Sequence, residues 1–402
     1  MRVVFRVDAS LVIGSGHVIR CLTFAKALRS VFPCVDVTFI CQSVAGNMND
    51  YIRGQGFDVI ELCDIGANSS VVNSSKLVEI TKGIEVLSEQ VQLTQAKRCL
   101  RLLEDGMVNL LIVDHYQLSA PFSRAMRVRC QQVMVIDDLA NRQQDADILL
   151  DQNLLPHFQT RYQDLVNTES LLLLGPQYAL LRDEFYIADL HRENDDNRQL
   201  SESMVSIPRI LVFFGGSDTD NLTRVALSGL RPFFKQATEC RHSPLLVQES
   251  RGLRDITVDV VLGTSNPWKE SLSIEFSDYQ QINWHVQCDY MARLMSEATI
   301  SLGAGGSTHW ERAIIGLPSI VVTVADNQIE TTKYLSSLGA CWWLGHANSV
   351  CANDFTQAVS VLLAKAELRQ TLSQNAQKLV SMSDGVPRVL SAVATKLGLG
   401  EH

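Results

Sequence analysis

The stretch "VDASLVIGSGHVIRCLTFAKAL", residues 7–28, decides the fold. It continues the β-rich run "RVVFRVD" and passes through a tight turn at Gly14, Ser15 and Gly16. It then enters residues 17–30, where Val18, Leu22, Ala25 and Leu28 fall on one helical face. Strand, glycine turn and helix in that order open an α/β domain, whose ligands bind at the carboxyl edge of the sheet. A dinucleotide fingerprint would read G-x-G-x-x-G, but the sixth position is Ile19, and Cys41-Gln42 stands where the second strand should end in an acid. In place of a third glycine the turn offers His17, in the first turn of the helix. The positive end of a helix disfavours an imidazolium, so a ring here suits proton acceptance. A helix-start histidine bonded to a carbonyl is the plainer alternative. Arg20, one turn on, shares its side.

The rest of the chain extends this plan. With 402 residues and 46% hydrophobic composition, two domains are expected. The net charge of −9 argues against a nucleic-acid surface or an anionic-membrane patch, so neither partner is expected. None of the ten cysteines forms a CxxC pair, and several sit in apolar runs, as free thiols in a reducing cytoplasm do. No run reaches 18 apolar residues, and Asp8 interrupts the N-terminus, so no membrane span or secretion signal is expected.

Short apolar runs at 35–41, 108–116, 132–138 and 147–153 alternate with helical segments, which implies a doubly wound parallel sheet. A second series follows at 209–218, 256–263, 273–278 ("SIEFSD"), 298–306 and 318–326. The polar stretch 187–207 reads as a linker. The expected organisation is an N-terminal domain over 1–186, a C-terminal domain over 208–375 and a helical tail over 376–402. Residues 65–95 read as a polar loop leading into a helix, with no chemical signature.

Three strands of the first half end in polar clusters, Asp114-His115-Tyr116, Asp137-Asp138 and Asp151-Gln152-Asn153. Each alone suits a turn or cap; together at one sheet edge with His17 they suit a binding wall. "GPQYALLRDEF" (175–185) adds Tyr178 and Arg182. In the second half, Gly215 and Gly216 end a strand. Asp218-Thr219-Asp220 has the DxD spacing of metal-dependent sugar transferases, but it precedes "NLTRVALSGL", and a helix cap is the favoured role. In "GAGGSTHWERAIIGLPSIVV" (303–322), Gly305, Gly306, Ser307 and Thr308 bring hydroxyls and N–H groups to a helix start, as a diphosphate requires. Glu311 is placed to accept from a ribose diol, or to close a capping box with Thr308. His309 reads as structural or surface, and Asp326-Asn327-Gln328 ends the next strand.

These motifs, with "VDHY", "IDDLANR", "LLDQNL" and "VADNQ", resemble in content and order the UDP-2,4-diacetamido-2,4,6-trideoxy-beta-L-altropyranose hydrolases of pseudaminic acid biosynthesis, over most of residues 1–345. The resemblance implies a GT-B fold, two Rossmann-like domains with a cleft between them, and kinship with the glycosyltransferase that makes lipid II. It implies that the C-terminal domain holds UDP at Gly305–Glu311, and that His17 is the catalytic base. It implies no metal and no cofactor.

The expected reaction is hydrolysis of the glycosyl–phosphate bond: His17 takes a proton from water, water attacks the anomeric carbon, and UDP leaves with inversion. Arg20 and Arg182 are candidates to support the sugar or a phosphate, and Asp114 is a candidate to orient His17. The UDP-sugar is the expected partner of a monomeric chain. Two alternatives stand: a glycosyltransferase with the same donor site, which needs an exposed apolar patch with basic flanks for a lipid acceptor, and a catalytically silent sugar-nucleotide-binding module.

Overall fold

The computed structural model describes residues 1–62, 85–103, 106–187, 207–234, 256–264 and 266–399. Most of the expected loop at 65–95 and of the linker at 187–207 lies outside the described residues. The chain divides into two compact units, Met1–Leu181 with Ser383–His402, and Arg182–Met382.

The first unit is built on seven parallel strands: β1 (Arg2–Val7), β2 (Asp36–Gln42), β3 (Asp58–Leu62), β4 (Val108–Asp114), β5 (Cys130–Ile136), β6 (Ile148–Asp151) and β7 (Leu171–Leu174). Their order is β3-β2-β1-β4-β5-β6-β7. Both faces are apolar because both are covered. Val3, Phe5 and Val7 of β1 enter one core cluster with Leu110, Ile112, Met134 and Ile136, while Val4 enters the opposite one with Leu111, Val113, Val133 and Val135. α1 (Gly16–Val31) packs on the first face through Val18, Cys21, Leu22, Phe24, Ala25 and Leu28. α2 (Asn49–Gly54) adds Ile52 there. α3 (Glu89–Leu102) and α4 (Ala120–Met126) cover the other face with Ala96, Cys99, Phe122 and Met126.

The second unit has six parallel strands: β8 (Arg209–Phe213), β9 (Thr257–Leu262), β10 (Ile282–Val286), β11 (Ile300–Ala304), β12 (Ser319–Thr323) and β13 (Trp342–His346), in the order β10-β9-β8-β11-β12-β13. Helices among its described residues include α5 (Leu222–Leu230), α6 (Lys269–Glu275), α7 (Met291–Glu297), α8 (Thr308–Ile315), α9 (Asp326–Ser337), α10 (Ala352–Ala364) and α11 (Ala366–Gln377).

The stretch 273–278, expected as a strand, is the end of α6 and the turn after it. Leu272 and Phe276, four residues apart, are buried, while Ile274 between them is 74% exposed. That is helical burial, not alternation.

The C-terminal segment also departs from expectation. Residues 376–382 stay with the second unit. α12 (Val386–Lys396) belongs to the first, because Val386, Val389 and Val393 form a helical stripe that enters its core beside α1. The first unit's main segment ends at Leu181, where residues to 186 were expected.

Candidate active site

The order of the first sheet reverses at β1, which lies between β2 and β4. Open α/β sheets bind ligands at the carboxyl ends of such strands. Val7 pairs with Asp114, and Asp114 with Ile136, so the ends of β1, β4 and β5 are level.

After β1 the chain turns tightly. Gly14 N donates to Ser10 O at 2.8 Å, and Ser10 Oγ accepts from the N–H groups of Val12 and Ile13. Gly14 has φ +78°, a conformation that costs glycine nothing. Ser15 is the N-cap of α1, without a side-chain cap bond, and Gly16 is the first helical residue.

His17 follows and is buried. Its Nδ1 lies 2.5 Å from Asp114 Oδ1. Arg20 grips the same carboxylate bidentately, Nε to Oδ2 and Nη2 to Oδ1, both at 2.6 Å. Burial alone would raise the Asp114 carboxyl, but the Arg20 guanidinium, then His17, and the hydrogen bonds from both hold it well below the usual carboxylate range. An ionised carboxylate only accepts, so Nδ1 carries the hydrogen, and in the neutral ring the lone pair is then on Nε2. The Tyr116 ring stands edge-on to the imidazole, centroids 4.5 Å apart. Burial, then Asp138, push its phenol up. Its hydroxyl donates to Asp138 Oδ2 at 3.2 Å, and Arg20 Nη1 reaches the same oxygen at 3.4 Å.

His115 belongs to a second pair. Its Nε2 lies 2.9 Å from Asp8 Oδ2, and its Nδ1 accepts from Gln117 N at 3.1 Å. Burial lowers its affinity for a proton, against the pull of Asp8. Both nitrogens are engaged, so His115 holds structure under the site and offers no lone pair. Asp8 is clamped by Arg6 at 2.6 and 2.9 Å. The sequence reading missed Asp8 and Arg6 as site residues. Their signal was present: a charged residue inside a buried strand, with an acid two positions on and therefore on the same face.

Asp137 and Asp151 form a third cluster. The Tyr162 hydroxyl lies 3.0 Å from Asp137 Oδ2 and 3.1 Å from Asp151 Oδ2. One hydroxyl hydrogen serves only one of them at a time. Burial pushes Asp151 up to about 7, although Arg161 Nη1 sits 2.5 Å from Oδ2 and opposes the shift. Asp151 Oδ1 accepts from Asn153 N, closing a turn, and Gln152 Oε1 accepts from Leu180 N. Tyr178 ends a short 3-10 turn and packs against the core of the first unit.

In the second unit, Gly215 and Gly216 follow β8, and Gly263 N donates to Gly216 O at 3.1 Å. Asp218 caps α5: its Oδ1 accepts from Leu222 N at 2.9 Å and its Oδ2 from Thr223 N at 3.0 Å. The favoured cap role of the DxD stretch is thus the one seen.

Gly305 and Gly306 close β11, Gly306 with φ +97°. Ser307 is the N-cap of α8 and Thr308 its first residue. No side-chain cap bond is present, so the capping box that was the alternative role of Glu311 does not form. Glu311 Oε1 instead accepts from Arg182 Nη2 at 3.2 Å, and Arg182 Nη1 pairs with Glu184 at 2.7 Å. Arg182 thus joins Glu311 and the second unit, while Tyr178, four residues earlier, stays with the first. Gln328 Oε1 accepts from Val324 N, and Asn327 lies in the first turn of α9. His309 is buried, not on the surface, with Nε2 3.0 Å from Thr332 Oγ1.

Among the described residues, no three His, Cys, Asp or Glu side chains stand together as ligands of an ion. The described cysteines are free thiols, and no described helix is long and apolar enough to cross a membrane.

Two parallel-sheet α/β units of this kind define the GT-B fold, and the chain has it. MurG of Acinetobacter baumannii matches over 98% of this chain and 99% of its own, with TM-score 0.57 and 14% identity. Residues 210–387 match the glycosyltransferase family 28 C-terminal domain. Two curated relatives bear names tied to sugars. One is the UDP-2,4-diacetamido-2,4,6-trideoxy-beta-L-altropyranose hydrolase of Campylobacter jejuni, 23% identical over 84% of this chain and 97% of that protein. The other is the spore coat polysaccharide biosynthesis protein SpsG of Bacillus subtilis, 24% identical over 74% of this chain and 80% of its own. MJ1062 of Methanocaldococcus jannaschii is 23% identical over 83% of this chain, which spans only 57% of that relative's length. The resemblance drawn from the motifs is thereby borne out.

Proposed function

We propose that the chain is an enzyme that hydrolyses the glycosyl–phosphate bond of UDP-2,4-diacetamido-2,4,6-trideoxy-beta-L-altropyranose, giving UDP and the free sugar in pseudaminic acid biosynthesis. The observation that carries this reading is the Asp114–His17 pair, which fixes Nδ1–H and frees Nε2 at a sheet edge. His17 Nε2 takes a proton from water as the oxygen attacks the anomeric carbon, and the glycosyl–phosphate bond breaks with its electron pair on UDP. Attack opposite the leaving group inverts the centre. A positioned base contributes about 10²–10⁴-fold. The diphosphate is assigned to the N–H groups and hydroxyls at Gly305–Thr308, where a helix N-terminus stabilises the leaving charge. Glu311 is assigned to the ribose diol. Gly215, Gly216, Asn327 and Gln328 are assigned to the same nucleotide, and Gly14, Ser15, Gly16, Tyr116 and Tyr178 to the sugar. The buried free thiols support a reducing, cytoplasmic setting.

A glycosyltransferase is the second reading. It draws support from the family 28 domain match and from exposed Leu11 and Val12 in the turn before His17, an apolar spot an acceptor could use. One assay separates the two. Purified protein is mixed with the UDP-sugar and a chelator, and UDP, free sugar and anomeric configuration are followed by NMR. Equimolar UDP and inverted free sugar support hydrolysis; UDP release only on addition of an acceptor supports transfer.

A further inference from the structure

We propose that Arg20 is a positioning residue for the base and not a ligand of sugar or phosphate: it clamps Asp114 so that His17 is held as one neutral tautomer. This rests on the assignment of His17 as base. Residues 17 and 20 lie one turn apart on α1, and a guanidinium there would be free to meet substrate only if its N–H groups were unengaged. Three of its five N–H groups are already engaged: Nε and Nη2 form a fork on Asp114 at 2.6 Å each, and Nη1 reaches Asp138 at 3.4 Å. Nη2 also lies 3.3 Å from His17 Nδ1, a contact between two donors and not a hydrogen bond. The side chain is 7% exposed.

The charges explain why a base needs this clamp. The groups around the imidazole are Asp114 from β4, Arg20 from α1, Tyr116 after β4 and, beyond them, Asp138 after β5, with the Cys21 thiol 3.4 Å from Asp114 Oδ2 and neutral, engaged His115 behind. Two carboxylates and one guanidinium leave a single excess negative charge beside the ring. Without Arg20 the carboxylates have no buried cation. The ring then takes a proton from solvent to become one, and an imidazolium has no lone pair with which to accept another. A bidentate fork also fixes the carboxylate plane, which a lysine would not.

The test uses full-length protein labelled with [15N]histidine, in which the His17 signals are those missing from His17→Gln. In the wild type at pH 7 the ring should be neutral with hydrogen on Nδ1. In Arg20→Gln it should be doubly protonated at pH 7. The acid limb of kcat should move up by about two pH units, so that kcat at pH 7 falls about tenfold, while KM and UDP affinity change little. Arg20→Lys, which keeps the charge, should keep the ring neutral. A neutral ring and an unmoved acid limb in Arg20→Gln would overturn the proposal, as would a several-fold rise in KM at constant kcat, which marks a substrate ligand. Should Arg20→Gln fail to fold, a doubly protonated ring at pH 7 in the wild type or in Arg20→Lys overturns it, and a neutral ring in both supports it. If the wild type does not turn over the UDP-sugar, the functional reading fails, and the spectra still decide what Arg20 does to the ring.

Discussion

Asp114 Oδ1 lies 2.5 Å from Nδ1 of His17, joining two residues 97 positions apart in the chain. One sits at the end of a strand and the other in the first turn of a helix. The contact gives the imidazole a direction, and Asp114→Asn tests it. An amide matches the carboxylate in shape but turns either its oxygen or its NH2 toward Nδ1, and in the second case the ring hydrogen moves to Nε2. We expect kcat to fall about 10²-fold or more, with UDP affinity little changed. Stability should fall too, because Arg20 loses the charge it was buried against; truncating such a partner costs about 3–5 kcal/mol. Steady-state kinetics with calorimetric UDP titration and urea unfolding check both parts.

Glu311→Ala should weaken nucleotide binding more than it slows the chemical step. A carboxylate on a ribose diol holds ground and transition states alike, so KM should rise while kcat stays nearly constant. A large fall in kcat at unchanged KM would place Glu311 in the chemistry instead.

UDP release should be insensitive to EDTA. The proposed stabilisation of the leaving diphosphate comes from backbone N–H groups and hydroxyls at a helix start, which need no cation. Activity lost in EDTA and restored by Mg²⁺ or Mn²⁺ would contradict this.

The Asp137–Tyr162–Asp151 bridge predicts a pH-dependent stability. Asp151 is pushed up to about 7 in the fold from an ordinary value of 3.8. Between those values the folded state binds more protons than the unfolded one, so this group's contribution to stability falls as pH rises from about 4 to about 7. His115, lowered by burial, acts the other way near its ordinary value, so the comparison must be with a variant. Asp151→Asn should remove the downward contribution. Urea midpoints at pH 5, 6, 7 and 8 should show the variant gaining on the wild type as pH rises, and a constant difference would contradict the shift.

The alternation of buried strands with amphipathic helices made both sheets legible, because covered parallel strands are apolar throughout. What escaped were strands that carry polar residues or lie at sheet edges: β3 with Asp58 and Glu61, β10 with Asn283 and His285, and the edge strands β7 and β13. The strand-end acids were legible as a set, but their partners were not. Whether Asp114 or His115 would reach His17 depends on which face of β4 each takes and on the β1–β4 register, neither of which is local. Arg20 is legible in the sequence as a neighbour of His17 one helical turn away, whereas its bonds to Asp114 depend on the fold.

The most direct measurement is steady-state turnover of the UDP-sugar by His17→Gln, paired with calorimetric UDP binding by the same protein. Glutamine keeps polarity and approximate bulk without the basicity. The account predicts a fall in kcat of about 10²-fold or more with UDP affinity nearly unchanged. Near-normal turnover in this variant would contradict it, return His17 to a structural role and leave the base to be sought among the other groups at this sheet edge.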